Sequence, residues 1–126
     1  MSSKKTNKLV IQKYGGSSVS NHEKIENAAR RIISYARRGN KVVVVISAMG
    51  DTTDNLVTLA KKINPYPPER EMDMLMSTGE QISGALLAMA LNRRGVGAIS
   101  FTGAQVGIIT DTDHTQAKIL KIETDR

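Results

Sequence analysis

The first apolar cluster, Leu9-Val10-Ile11 with Gln12, reads as a short strand that stops at Gly15-Gly16-Ser17-Ser18, where the backbone is free to turn. Ile25, Ala28, Ala29, Ile32, Ile33 and Ala36 then recur at helical spacing, predicting an amphipathic helix from about 22 to 38. Ser20 and Glu23 stand at capping-box spacing at its start. Lys41 to Ala48 contains an unbroken Val-Val-Val-Val-Ile, the pattern of a strand covered on both faces. Strand, glycine turn, helix and buried strand make a β-α-β unit, which predicts an α/β sandwich.

The same grammar continues downstream. Asp54–Ile63 reads as a helix with Leu56, Val57, Ala60 and Ile63 inward, and Asn64-Pro65-Tyr66-Pro67-Pro68 forces a loop. Glu69–Arg94 is helical in pattern, with Met72, Leu75, Met76, Ile82, Leu86, Leu87 and Ala90 on one side and Gly95 as its stop. Further strands are expected at Ala98–Phe101, Val106–Ile109 and Ala117–Ile122. Residues 1–7 are polar and small, and read as a flexible tail before a domain that begins near Lys8.

Composition narrows the function classes. The 126 residues contain no cysteine, so disulfide scaffolds, thiolate zinc sites and cysteine nucleophiles are excluded. No apolar run approaches the roughly 20 residues that cross a bilayer, and Met1 to Lys8 lacks the apolar segment of a secretory leader, so the expected compartment is cytoplasmic. The net charge of +6 points first to nucleic acid, yet residues 1–41 carry all of the excess and residues 42–126 are slightly acidic. Four aromatic residues offer no stacking platform for bases, so neither nucleic acid nor membrane is expected as a partner. Arg30, Arg31, Arg37 and Arg38 fall largely off the apolar stripe of their helix and read as a solvated face.

Four polar clusters follow apolar segments, where open α/β sheets bind ligands. Lys13-Tyr14-Gly15-Gly16-Ser17-Ser18 is either a plain tight turn or a cradle of backbone N–H groups for a phosphate, with Lys13 as a mobile charge and a helix N-terminus nearby. Ser47-Ala48-Met49-Gly50-Asp51-Thr52-Thr53-Asp54 offers hydroxyls for a small polar substrate, or else a helix cap. Ser77-Thr78-Gly79-Glu80-Gln81 sets Glu80 among Met76, Ile82 and Leu86. A buried carboxylate there needs a partner such as a substrate ammonium; alternatively Ser77 and Glu80 form a capping box that starts a fresh helix. Ser100 to Gln105 reads as a further strand end or a turn. His22 and His114 are isolated, with no metal-ligand spacing, and no metal site is expected.

In this order the clusters resemble the aspartate kinases of the amino acid kinase family. Lys13-Tyr14-Gly15-Gly16-Ser17-Ser18 is similar to their opening K-[FY]-G-G-[ST]-S, Ser47-Ala48-Met49-Gly50-Asp51-Thr52-Thr53 to S-A-M-G-x-T-[TD], and Ser77-Thr78-Gly79-Glu80-Gln81-Ile82-Ser83 to S-x-G-E-x-x-S; Phe101 to Gln105 with Thr110-Asp111 completes the series. The resemblance implies an α/β/α three-layer sandwich with a mostly parallel central sheet, incomplete here, in which residues 8–126 form the substrate-side part. It implies transfer of the ATP γ-phosphate, with Mg2+, to L-aspartate, at the entry to lysine, threonine and methionine synthesis, by a complete enzyme expected to be a homo-oligomer. Lys13 would then be catalytic, with Lys13, Gly15, Gly16 and Ser17 binding phosphate and Ser47, Thr53 and Glu80 binding the amino acid. The family's second half, with a G-R-G-G-S-D segment and most of the nucleotide site, and its ACT regulatory domains are not among these residues, so the 126 residues alone are expected to be inactive. Other expectations compatible with the residues are a stand-alone protein that binds aspartate or phosphate without turnover, and a kinase for glutamate or acetylglutamate.

Overall fold

The computed structural model describes residues 7–125; the expected tail over residues 1–7 lies almost wholly outside them. Strand β1 (Leu9–Tyr14) and strand β2 (Lys41–Ile46) run parallel, in register from Leu9 opposite Lys41 to Tyr14 opposite Ile46. Helix α1 (His22–Arg37) connects them after a 3-10 turn over Gly16–Val19. Helix α2 (Thr52–Ile63) and the 25-residue helix α3 (Glu69–Arg93) follow, then a hairpin of β3 (Ile108–Thr110) and β4 (Ile119–Ile122), antiparallel and separate from the first sheet. This is an α/β fold with an incomplete sheet.

The core lies between α1, α3 and one face of the sheet. Val19, Ile25, Ala28, Ala29, Ile32 and Ile33 pack with Leu87, Ala90 and Leu91, and Tyr14, Val42, Val44 and Ile46 close the cluster from the sheet side. The other sheet face is bare: Leu9 and Ile11 are 66% and 67% exposed, Val43 and Val45 47% and 50%. The expectation that the valine strand is covered on both faces therefore fails within the described residues. Alternate side chains of a strand need a layer on each side, and here the helices supply one.

Other expectations shift for physical reasons. The α1 cap is Asn21, whose extended backbone lets its Oδ1 accept from the Lys24 amide at 2.9 Å; Ser20 is already in a helical conformation and cannot take the Ncap role. No helix starts at Thr78, because α3 runs through it and the Ser77 and Thr78 hydroxyls donate back to the Met74 and Leu75 carbonyls at 2.8 and 2.6 Å. The buried face of α3 is Gly79, Ser83, Leu87, Ala90 and Leu91, whereas Ile82 and Leu86, expected inward, are exposed. On α2 the expected inward residue Ile63 is exposed as well. Ala98–Phe101 is not a strand: the Asn92 carboxamide takes both backbone groups of Ala98, donating to its carbonyl at 3.1 Å and accepting from its amide at 2.8 Å. Among the described residues no helix is long and apolar enough to cross a membrane.

Candidate functional site

Two loops leave the carboxyl ends of β1 and β2 and meet backbone to backbone. The Ser47 amide donates to the Tyr14 carbonyl at 3.0 Å and the Gly50 amide to the Gly16 carbonyl at 2.9 Å. A Cβ on Gly16 would stand 3.0 Å from the Ala48 carbonyl oxygen and 3.2 Å from that of Gly50, so a side chain there would separate the loops. Val19, fully buried, anchors the first loop from beneath, and the Lys24 ammonium bonds the Ser17 carbonyl at 2.9 Å. Lys24 thus brings a second cation to the glycine loop, a residue that sequence reasoning missed; its position one turn into α1 was the available signal.

Helix α3 crosses the second loop at equally short range. A Cβ on Gly79 would lie 2.9 Å from the Ala48 Cβ and 3.5 Å from the Thr52 Cγ2. One turn along α3, the fully buried Ser83 donates its hydroxyl to the Ser47 carbonyl at 2.7 Å. Ser83 was legible only as part of a motif; its role as the tie between α3 and the Ser47 loop emerges from the fold. Together Gly79 and Ser83 bracket Glu80, so the backbone carrying Glu80 is fixed against the loop carrying Ser47 and Thr53.

The predicted site residues are distributed as follows. Lys13 is exposed on the bare sheet face, in register with Val45, at the end of β1. Gly15, Gly16 and Ser17 form the turn after it, Ser47 and Thr53 are half-buried around the second loop, and Glu80 is exposed on α3. The expectation of a buried Glu80 is thus corrected: Met76 is half-buried, but Ile82 and Leu86 are exposed and leave Glu80 in solvent. The cap explanation of the second cluster is also incomplete, since Asp51 makes no side-chain cap bond and the Thr52 hydroxyl turns back to the Met49 carbonyl at 2.5 Å. Among the described residues no hydrogen bond engages the side chains of Lys13, Ser47, Thr53 or Glu80.

The remaining clusters stay outside. Thr102 and Gln105 satisfy each other, the Thr102 amide on Gln105 Oε1 at 2.9 Å and the Gln105 amide on Thr102 Oγ1 at 3.3 Å, as a turn does. Asp111 Oδ1 accepts from the Asp113 and Lys118 amides and organises the hairpin loop. His114, expected to be isolated, sits with Nδ1 3.1 Å from Asp73 Oδ2, and the Thr115 amide reaches the same carboxylate, tying the hairpin to α3. His22 is exposed at the start of α1. Among the described residues two groups titrate away from their ordinary values: burial pushes the Tyr14 phenol up, and the Arg94 guanidinium bonded to Glu26 holds that carboxyl down. Among the described residues no three His, Asp or Glu side chains gather as a metal-binding group.

A model of the amino acid kinase family matches residues 8–126, and the chain belongs to that family. Its relatives include aspartokinases: the chain is 57% identical over 118 residues to one from Bacillus sp. (strain MGA3) and 55% identical over 118 residues to one from Mycolicibacterium smegmatis. Those matches cover 94% of this chain but only 29% and 28% of the relatives, so the chain spans under a third of their length. A crystal structure of aspartate kinase from Synechocystis superposes with a TM-score of 0.76 at 57% identity, covering 79% of this chain and 17% of that one.

Proposed function

We propose that these residues are the N-terminal, substrate-side part of a cytoplasmic, homo-oligomeric aspartate kinase, which transfers the ATP γ-phosphate to the side-chain carboxylate of L-aspartate and so opens lysine, threonine and methionine synthesis. In that reaction a carboxylate oxygen bonds to the γ-phosphorus while the bond from that phosphorus to the oxygen bridging to ADP breaks, giving 4-phospho-L-aspartate and ADP. The observation that carries the reading is the clamp itself: the glycine loop, the Ser47 loop and α3 are locked together while Lys13, Ser47, Thr53 and Glu80 keep side chains uncommitted within the fold.

Each role is the one the family resemblance implies, and the chemistry of the residue agrees with it. Lys13 offers a flexible ammonium to the equatorial oxygens of the transferring phosphoryl group, whose catalysis is chiefly positioning and electrostatic stabilisation. Gly15, Gly16 and Ser17 supply backbone donors beside the N-terminus of α1. The Ser47 and Thr53 hydroxyls hold the amino acid, and Glu80 accepts from its α-ammonium. Mg2+ would enter with ATP and neutralise phosphate charge. The nucleotide half is supplied by other residues, so residues 1–126 alone do not turn over.

Trapping the acyl phosphate as a hydroxamate tests this, using residues 1–126 both alone and within a chain of the relatives' length. The long chain is expected to act on L-aspartate, with Lys13→Ala lowering kcat by roughly 100-fold or more and Glu80→Gln acting mainly through KM for aspartate. Turnover by the 126 residues alone, a preference for glutamate or acetylglutamate, or full kcat in Lys13→Ala would overturn it.

A further inference from the structure

At the end of the molecule opposite the strand-end loops, the last turns of α1 and the residue that caps α3 border a hollow of about 210 Å³, open to solvent and lined by the exposed Arg30, Ser34 and Arg37, the half-buried Arg94 and the buried Ile33. Its volume is below the range typical of cofactor and drug-sized ligands, about 300 Å³ and upward, and suits a small ion. Arg30, Ser34 and Arg37 recur at i, i+4 and i+7 along one stripe of α1, so two guanidinium groups and a hydroxyl share a wall over the buried Ile33.

The charges there are not balanced within the fold. Glu26, one turn before Arg30, is the carboxylate engaged at this end, and both its oxygens are taken, Oε1 by Arg93 at 2.9 Å and Oε2 by Arg94. Arg30 spends one Nη1 donor on Asn27 Oδ1 at 2.6 Å, and each guanidinium has five N–H donors to place. The Arg94 Nε–H is buried beneath the hollow with no acceptor among the described residues. Arg37 and Arg94 lie where positive charge offsets the helix macrodipole. Arg30 is two turns back, beyond the reach of that effect, so the dipole does not account for the set.

We propose that this hollow is a binding site for a small multivalent oxyanion of the phosphate class, separate from the strand-end site. The planar forks of Arg30 and Arg37 suit the paired oxygens of a phosphate, Arg94 adds positive charge beside them, and the Ser34 hydroxyl, which already donates to the Arg31 carbonyl at 2.8 Å, retains acceptor capacity for a protonated oxygen.

The probe is inorganic pyrophosphate, titrated into the full 126-residue chain at fixed ionic strength and followed by 15N–1H NMR, including the arginine Nε–H signals. The expected result is saturable movement of the Arg94 Nε–H and Ser34 amide signals, with affinity falling at least tenfold in Arg30→Gln/Arg37→Gln. The equal-charge control Arg31→Gln/Arg38→Gln, on α1 and at its C-cap but off the hollow, is expected to bind within about twofold of the parent, a difference of about 0.4 kcal/mol. Circular dichroism checks that both variants keep their helices. Movement that never saturates, or equal weakening in the two double variants, would mean a diffuse basic field and sink the proposal.

Discussion

Gly79 and Gly84 lie five residues apart on α3, and the same substitution is expected to have opposite signs at the two. Placing alanine in a helix interior gains about 0.5–1 kcal/mol over glycine by itself. At Gly84 the new Cβ meets Ile46 Cγ2 and Ser100 Cβ at 3.8 Å, ordinary contact, so Gly84→Ala keeps that gain. At Gly79 the new Cβ lies 2.9 Å from the Ala48 Cβ, about 0.6 Å inside the shortest comfortable carbon contact. Neither methyl can rotate away, and Ala48 is buried on a loop held by the Ser47 and Gly50 hydrogen bonds. Overpacking of this kind costs about 1–3 kcal/mol, so Gly79→Ala is expected to lose about 1 kcal/mol net. The two variants then differ by about 2 kcal/mol, roughly 6–10 °C in Tm for a chain of this size. Thermal denaturation by circular dichroism, with urea midpoints as a second measure, reads the difference. If Gly79→Ala melts at or above Gly84→Ala, the close crossing of α3 over the Ser47 loop is wrong.

Ser83→Ala is expected to cost about 1–2 kcal/mol in urea unfolding, because the Ser47 carbonyl loses its buried donor; Ser77→Ala, which removes an exposed hydroxyl, should stay within about 0.5 kcal/mol of the parent. Equal effects would remove Ser83 as the tie. Glu26→Gln tests the arginine pair: the folded carboxyl titrates below its ordinary value of 4.5, so the stability it contributes is present above that value and lost as pH falls through the folded one. The parent should exceed Glu26→Gln in stability near neutral pH, and the difference should shrink as pH falls through 4.5 and below; a difference independent of pH would refute the ion pair as its cause.

The elements themselves were largely legible because each rests on a local rule. The valine run and the 3.6-residue recurrence of Ile25 to Ala36 need no knowledge of neighbours. What depended on neighbours was not legible. Whether the second face of β2 is covered is a property of another layer, and Asn21 displaces Ser20 as cap only because the preceding 3-10 turn has already given Ser20 a helical backbone. Gly79 and Ser83 carry no hydrophobic signal, yet they are the contact line of α3, since close approach of a helix to a loop selects small side chains over apolar ones. The strand expected at Ala98 was lost to a single asparagine amide. At the candidate site the glycine loop was visible as composition; the second cation at Lys24 and the Ser83 tie needed the fold.

The bare sheet face is also a hazard of aggregation. β1 and β2 pair only with each other among the described residues, leaving an unpaired edge on each side of a ribbon whose open face shows Leu9, Ile11, Val43 and Val45. Val42–Ile46 is a five-residue window without charge, proline or glycine, the composition that stacks into cross-β fibrils when its edges are accessible. Lys41 before it and Lys13 on the neighbouring strand are the cations that stand guard against that stacking. The ammonium proposed to steady a phosphoryl group therefore also serves as a gatekeeper for solubility, and neutralising Lys13 removes both of its roles at once while Lys41 remains.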